Sequence, residues 1–200
     1  MLHASYSSCS RVIRPDFAFA VFSRLRGLTS LTLRNTTNHD ILEILTMLPV
    51  LTVLDAHYLP CAEPVARPAS PACRLRHLTI HVDGQSTRTM WTWIPRLVPC
   101  TALESLTIRN RRISHSEQLS VKNWAIAPTF LRRVARIHAA TLKRLAFDAL
   151  CMTPEDFRLV CRAFIALETI ACHLTKHDMV CPPHTLSPNE RFNAITGDRR

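Results

Sequence analysis

Glycine is scarce in this chain, with three residues among 200. Loops that cradle phosphate groups rely on glycine, because its backbone combines positive φ angles with close approach to a ligand. The composition therefore argues against a nucleotide-binding loop and against most β-sandwiches built on glycine turns. Proline, in contrast, occurs thirteen times and clusters between the apolar segments rather than inside them.

Signals for export and membrane insertion are also missing. The eight cysteines include no Cys-x-x-Cys pair, and residues 1–10 lack the apolar core of a signal peptide. No stretch approaches the ~20 apolar residues that cross a bilayer. We therefore expect a cytoplasmic or nuclear protein whose cysteines stay reduced and mostly fill core positions.

The strongest metal candidate is a group of cysteines and histidines towards the end of the chain: Cys172, His173, His177, Cys181 and His184. Both residue types are zinc ligands. Cys172, however, occupies an apolar strand position that packing explains, and the spacings match no zinc motif. We predict no metal and no cofactor.

Positive charge exceeds negative charge, with 25 Lys and Arg against 15 Asp and Glu and a net charge of +10. A basic excess suits nucleic acid, an anionic membrane or an acidic protein. The cations are dispersed, and their largest groups are the pairs Arg111–Arg112, Arg132–Arg133 and Arg199–Arg200. Because they form no compact stripe, the charge pattern argues against nucleic acid as the partner. A basic nucleic-acid-binding module is the alternative function, and a truncated repeat fragment without function is another.

An internal repeat dominates the chain. Six segments carry two apolar residues three positions apart, followed two positions later by an apolar or small residue. They begin at Leu28, Leu51, Leu75, Leu103, Leu142 and Leu167, and successive starts are 23, 24, 28, 39 and 25 residues apart. Most of these steps fall in or near the span of leucine-rich repeats.

The spacing within each segment predicts a short strand, because the last two apolar residues then point to one side. One strand cannot bury that side alone, so successive strands stack into a parallel sheet. Helical patterns lie between the strands at 16–25, 38–47, 86–98, 128–139 and 154–164, the last capped by Thr153. The sequence predicts an α/β fold: a leucine-rich-repeat solenoid with a curved parallel sheet and helices on the convex side.

The predicted organisation is a disordered N-terminus over 1–14, a solenoid of about six repeats over 15–176, and a loosely ordered C-terminal tail over 177–200. Loop insertions interrupt the solenoid near 58–73, which is rich in proline and alanine, and near 110–127. The second insertion accounts for the long step between Leu103 and Leu142.

Three repeats resemble the irregular leucine-rich repeats of fungal F-box-like proteins: LTSLTLRN at 28–35, CRLRHLTI at 73–80 and LESLTIRN at 103–110. The resemblance extends over about residues 15–175. In that family the repeats hold a substrate, while an N-terminal F-box docks on the linker subunit of a cullin ubiquitin ligase. The resemblance implies that this chain is the substrate-recognition part of an F-box-like ubiquitin ligase adaptor.

The chain departs from that family because it contains no convincing F-box. The segment ILEILTMLP at 41–49 is superficially similar to the first F-box helix, but it lies inside the repeat array and leads straight into the next strand. An ordinary repeat helix explains it. The resemblance then implies that a longer form of the protein carries the F-box and binds the ligase linker subunit.

Strand residues that point away from the core form the face on which such a solenoid binds its partner. The predicted central column of this face is Thr32, Asp55, Thr79, Thr107, Ala146 and Ala171. A flanking column of two arginines, three histidines and one aspartate attracts an acidic segment, more strongly below about pH 6.5. We predict an acidic protein partner that contacts Arg34, Asp55, His57, His77, His81, Arg109, Arg144, Asp148 and His173.

Catalysis has no recognisable basis in the sequence. Cysteines and histidines are numerous, but none stands in a nucleophile elbow or a metalloprotease helix motif. We therefore predict that the protein is not an enzyme and that it acts as a non-catalytic protein-binding scaffold.

Overall fold

The computed structural model describes residues 3–7, 20–59, 74–82, 88–98, 103–110 and 126–174. Seven β-strands and four complete α-helices lie within these ranges. In chain order they are β1 His3–Ser7, β2 Ser30–Arg34, α1 Asn38–Met47, β3 Val53–His57, β4 His77–Val82, α2 Arg88–Leu97, β5 Ser105–Asn110, α3 Pro128–His138, β6 Arg144–Met152, α4 Pro154–Ala163 and β7 Thr169–Leu174.

The strands form one parallel sheet whose spatial order, β1 to β7, is the order of the sequence. Crossovers in parallel sheets have one hand, so crossovers that all advance in the same direction place their helices on the same face. The burial pattern agrees, since strand and helix side chains share one apolar core. The protein is therefore an α/β protein with helices against one face of its sheet.

The strand register aligns the equivalent residues of the repeated segments. Leu31 lies opposite Leu54, Leu54 opposite Leu78, and the series continues through Leu106, Leu145 and Ile170. These side chains are almost completely buried, as are the residues two positions later in most strands. Alternation along each strand therefore turns one set of side chains into the core and leaves the intervening set on the opposite face.

Helix starts follow from capping side chains. Thr37 precedes α1, and its hydroxyl accepts a hydrogen bond of 3.2 Å from the Asp40 backbone N–H. Thr153 does the same for α4, accepting from the Asp156 N–H at 3.1 Å, while its own hydroxyl donates to the Asp156 carboxylate. The Thr153 cap predicted from the sequence is confirmed. Such caps satisfy backbone donors that the first helical turn leaves free.

The helix and strand patterns read from the sequence are largely confirmed. Helices occupy α1 to α4 within a few residues of the predicted bounds, and all six repeat segments contribute strands. Of the predicted helix 16–25, the described residues 20–22 are helical. Most of the two predicted insertions and nearly all of the predicted tail, at 60–73, 111–125 and 175–200, lie outside the described residues.

The N-terminal region differs from the prediction. Residues 3–7 lie within the segment 1–14 that the sequence marks as disordered, yet they form β1 and pair in parallel with β2, from His3 opposite Ser30 to Ser7 opposite Arg34. The physical reason is that β2 would otherwise expose one row of backbone N–H and C=O groups. A short strand without a leucine pattern can satisfy that row by backbone pairing alone.

His138 at the end of α3 ties neighbouring helices together. Its Nε2 lies 3.1 Å from the Val98 carbonyl oxygen and donates to it, while Nδ1 is buried without a hydrogen-bond partner. Burial lowers the pKa of the His138 imidazole, partly offset by the hydrogen bond to Val98. Protonation would add a second buried donor without an acceptor, so the neutral ring is the stabilising form.

This lowered pKa predicts a stability that depends on pH. His138 stabilises the folded state above its ordinary pKa near 6.5, and that contribution is lost as the pH falls below this value towards the lowered folded-state pKa. We expect His138→Leu to flatten the stability profile between about pH 7 and pH 5, and to cost about 1 kcal/mol at pH 7 because Val98 loses its donor. Urea unfolding across this range measures both effects, and a variant as pH-dependent as the parent would contradict the assignment.

Candidate functional site

The sheet has one face that no described helix covers. We call it the open face, and its central column comprises Thr32, Asp55, Thr79, Thr107, Ala146 and Ala171. The register places these six residues opposite one another, as predicted from the sequence. Charged side chains flank this column on both sides, so the repeated strands make the open face a polar surface.

Asp55 is the centre of the most tightly connected group on the open face. Arg34 Nη2 donates to Asp55 Oδ2 at 3.1 Å from the neighbouring strand β2. On the other side, His81 Nε2 of β4 lies 2.9 Å from Asp55 Oδ1. These two atoms are not oriented as a hydrogen-bond donor and acceptor, so the contact is an ion pair when the ring is protonated. One carboxylate therefore links three strands.

The electrostatic environment keeps Asp55 ionised. Burial by itself would raise the pKa of its carboxyl group. The contact with His81, together with the positive charges of Arg34 and Arg109, outweighs burial and lowers the pKa. Asp55 is thus a fixed negative charge within a positively charged surround, and it neutralises part of the attraction that this surround would exert on an acidic partner.

Two of the predicted contact residues are not accessible. His57 and His81 lie opposite each other in β3 and β4, and each exposes only 6% of its surface. Their rings meet edge to face with centroids 6.4 Å apart, and Asp55 contacts His81 from the side. The expectation that both histidines meet a partner directly is therefore corrected, because both side chains are buried within the fold.

The accessible charged side chains of the predicted site lie on strands β2 to β6. Arg109 and Asp148 are exposed and lie opposite each other in β5 and β6. His77 and Arg144 are exposed at the beginning of β4 and β6. Arg34 and Asp55 keep side-chain exposures of 24% and 31%. Together with the exposed His173, these six residues are the part of the predicted site that a macromolecule can touch.

His173 is exposed but does not continue the row after Asp148. It pairs with Cys151, because the β6–β7 register shifts between Ala146 and Cys151. Four residues of β6 there stand against one residue of β7, an irregularity that the repeat pattern does not predict. The predicted alignment of Asp148 with His173 is therefore wrong.

Comparisons with known proteins leave the function to be argued from this geometry. No family model matches the chain. No curated protein and no solved structure matches it either. Among the described residues no helix is long and apolar enough to cross a membrane. The same residues contain no group of three or more His, Cys, Asp or Glu arranged to hold a metal, and His177, Cys181 and His184 lie outside them.

The site predicted from the sequence does not include a group of exposed arginines on α3. Arg132 and Arg133 stand out in the sequence only as a pair, but α3 also exposes Arg136 on the same helix. The missed signal was the spacing of three and four residues, which brings side chains together on one side of a helix.

Proposed function

We propose that the chain is a non-catalytic protein-binding scaffold of the leucine-rich-repeat type, and that its open face contacts the partner. The observation that carries the proposal is the open face itself. The parallel strands β2 to β7, in sequence order, present aligned polar columns, while the described helices share the core on the other side. An extended surface of this kind is what repeat proteins use for macromolecular partners.

The strand order also supports binding rather than small-molecule chemistry. Open α/β sheets bind nucleotides and similar ligands in the crevice where the strand order reverses. The order of the seven described strands never reverses. The partner is then a macromolecule that spans several strands. The charges available to it favour one with acidic side chains near Arg109 and Arg144.

The more specific version of this proposal is an F-box-like ubiquitin ligase adaptor. It rests on the resemblance of the repeats, and it assigns substrate recognition to the open face. The segment 41–49 contributes to the core of the sheet–helix unit, since Ile41, Leu42 and Leu45 of α1 are fully buried. Attachment to a ligase therefore requires a docking element other than α1.

The open-face proposal predicts the loss of a partner on substitution of two exposed arginines. We expect Arg109→Ala/Arg144→Ala to reduce capture of the physiological partner from nuclease-treated native extract, because each interface arginine is worth about 1 kcal/mol or more, about fivefold in affinity. Capture is measured by quantitative mass spectrometry of proteins retained on the immobilised chain.

The matched control is Arg24→Ala/Arg26→Ala, which removes the same charge from exposed positions outside the sheet. A partner lost with the open-face variant and kept with the control supports the proposal, and ligase subunits among the retained proteins support its specific version. Equal retention by the parent and both variants places binding elsewhere and overturns the open-face proposal.

A further inference from the structure

The outer side of α3 carries positive charge without any negative charge. Arg132, Arg133 and Arg136 are all exposed, and the eleven-residue helix contains no Asp or Glu. None of the ion pairs within the described residues involves these arginines. The neighbouring helix α4 differs, because its Arg158 is paired with Glu155 at 3.6 Å.

The helix to one side extends this surface. Val98 O and His138 Nε2 are 3.1 Å apart, which aligns the last turn of α2 with the last turn of α3. Val98 lies two residues after the exposed Arg96 of α2, and His138 lies two residues after the exposed Arg136 of α3. The two arginines therefore occupy equivalent places on adjacent helices, and the axes of packed helices lie about 10 Å apart. We call Arg96, Arg132, Arg133 and Arg136 the arginine face.

Helix stability explains only part of this arrangement. Cations in the last turn interact favourably with the helix dipole, which accounts for Arg96 and Arg136. Arg132 and Arg133 lie in the middle of α3, where that benefit is absent. Like charges three or four residues apart also weaken a helix, by about 0.2–0.5 kcal/mol per pair. A bound polyanion would turn this repulsion into attraction.

We propose that the arginine face binds the phosphate backbone of a nucleic acid. Arginine presents a planar fork of N–H donors that engages phosphate oxygens in pairs. The chain has only three lysines, Lys122, Lys143 and Lys176, so 22 of its 25 cationic side chains carry this fork. Backbone contacts of this kind hold nucleic acid without reading its sequence.

The surroundings of the arginine face favour nucleic acid over a membrane or a protein. On α2 and α3 the described exposed neighbours, such as Thr92 and Thr129, are polar or small. The strongly exposed apolar side chain nearby is Ile165, just after α4, and one such side chain is a weak anchor for a bilayer. Trp91 is buried against Phe130, with ring centroids 4.8 Å apart, and gives a protein partner no aromatic anchor. Buried in this way, Trp91 cannot stack on bases either, so recognition rests on phosphates alone.

This inference concerns a second surface and does not depend on the open-face proposal. The arginine face lies on the helix layer, whereas the open face lies on the opposite side of the sheet. Failure of either proposal leaves the other intact, since their substitutions share no residue.

The test measures binding of the whole chain to a labelled DNA duplex and RNA duplex of about 20 base pairs, by fluorescence anisotropy over a range of salt concentrations. We expect Arg132→Gln/Arg133→Gln/Arg136→Gln to weaken binding on the order of 100-fold at about 0.1 M salt. The slope of log affinity against log salt should become shallower by about 2.7, because three phosphate contacts are lost. Thermal unfolding checks that the variant remains folded.

The matched control, Arg24→Gln/Arg26→Gln/Arg74→Gln, removes three exposed charges that lie outside α2 and α3. It should keep most of the affinity and the salt slope of the parent chain. Equal losses in the two triple variants would show non-specific attraction to net charge and overturn the proposal. So would absence of duplex binding by the parent, or equal affinity for polyglutamate or for anionic lipid vesicles.

Discussion

Replacing Leu78 with alanine is expected to lower the free energy of unfolding by about 3 kcal/mol. Leu78 lies in β4 at the centre of the sheet, exposes 1% of its surface, and packs in register between Leu54 and Leu106. The truncation removes apolar contacts and leaves a cavity that leucines on both neighbouring strands line. A rigid sheet cannot collapse into that cavity, so the full cost of a buried leucine applies.

Thr79→Ala is the matched control, because Thr79 is the next residue of the same strand and lies on the open face, half-buried. We expect this change to alter stability by less than about 1 kcal/mol. Urea unfolding of both variants measures the difference between the two faces. Similar losses for both would mean that both faces are packed, contrary to the one-sided core described above.

The pattern of leucines predicted most of the fold because it reports a local property repeated many times. Each segment such as Leu103–Leu106–Ile108 requires a strand with one buried side, and the recurrence of such segments requires the strands to stack. The helix α4 was recognisable from Thr153, Pro154 and the apolar spacing after them. β1 was not, since His3–Ser7 contains none of the repeated leucines and is fixed by pairing with β2.

For the candidate site, the sequence predicted which residues of neighbouring strands lie opposite one another, but not which of them are exposed. The sequence places His57 and His81 on the open face, and the register confirms that they lie opposite each other. Their burial depends on side chains from other strands, which no local pattern encodes. The place of His173 depends on extra residues within β6, and a repeat count cannot show which strand absorbs an irregularity.

Asp55→Ala is the second change expected to have a large effect. Asp55 is the only negative charge in contact with Arg34 and His81 among the described residues, and its removal leaves the Arg34 guanidinium and the His81 ring without a carboxylate. Exposed pairs contribute about 0–1 kcal/mol and loss of one partner of a buried pair costs about 3–5 kcal/mol. Because Asp55 and Arg34 are about one-third and one-quarter exposed, we expect a loss of about 2 kcal/mol.

Asp148→Ala serves as the control, because it removes the same charge from the same face at an exposed position. We expect it to change stability by less than about 0.5 kcal/mol. Chemical unfolding near neutral pH compares the two variants directly. If both aspartates cost the same, Asp55 would be an ordinary surface charge rather than the link between β2, β3 and β4.

The pH dependence separates Asp55 from His138. The folded-state pKa of Asp55 is lowered, so its contribution to stability is present above its ordinary value of 3.8 and is lost as the pH falls through the lowered pKa. The His138 contribution is lost as the pH falls below 6.5, which is a higher pH range than that of the Asp55 loss. An acid titration of the parent chain should therefore lose stability in two steps, and Asp55→Ala should remove the lower step while leaving the upper one. If Asp55→Ala retained the lower step, other carboxylates would cause that step. The Arg34–Asp55–His81 contacts would then contribute no net stability.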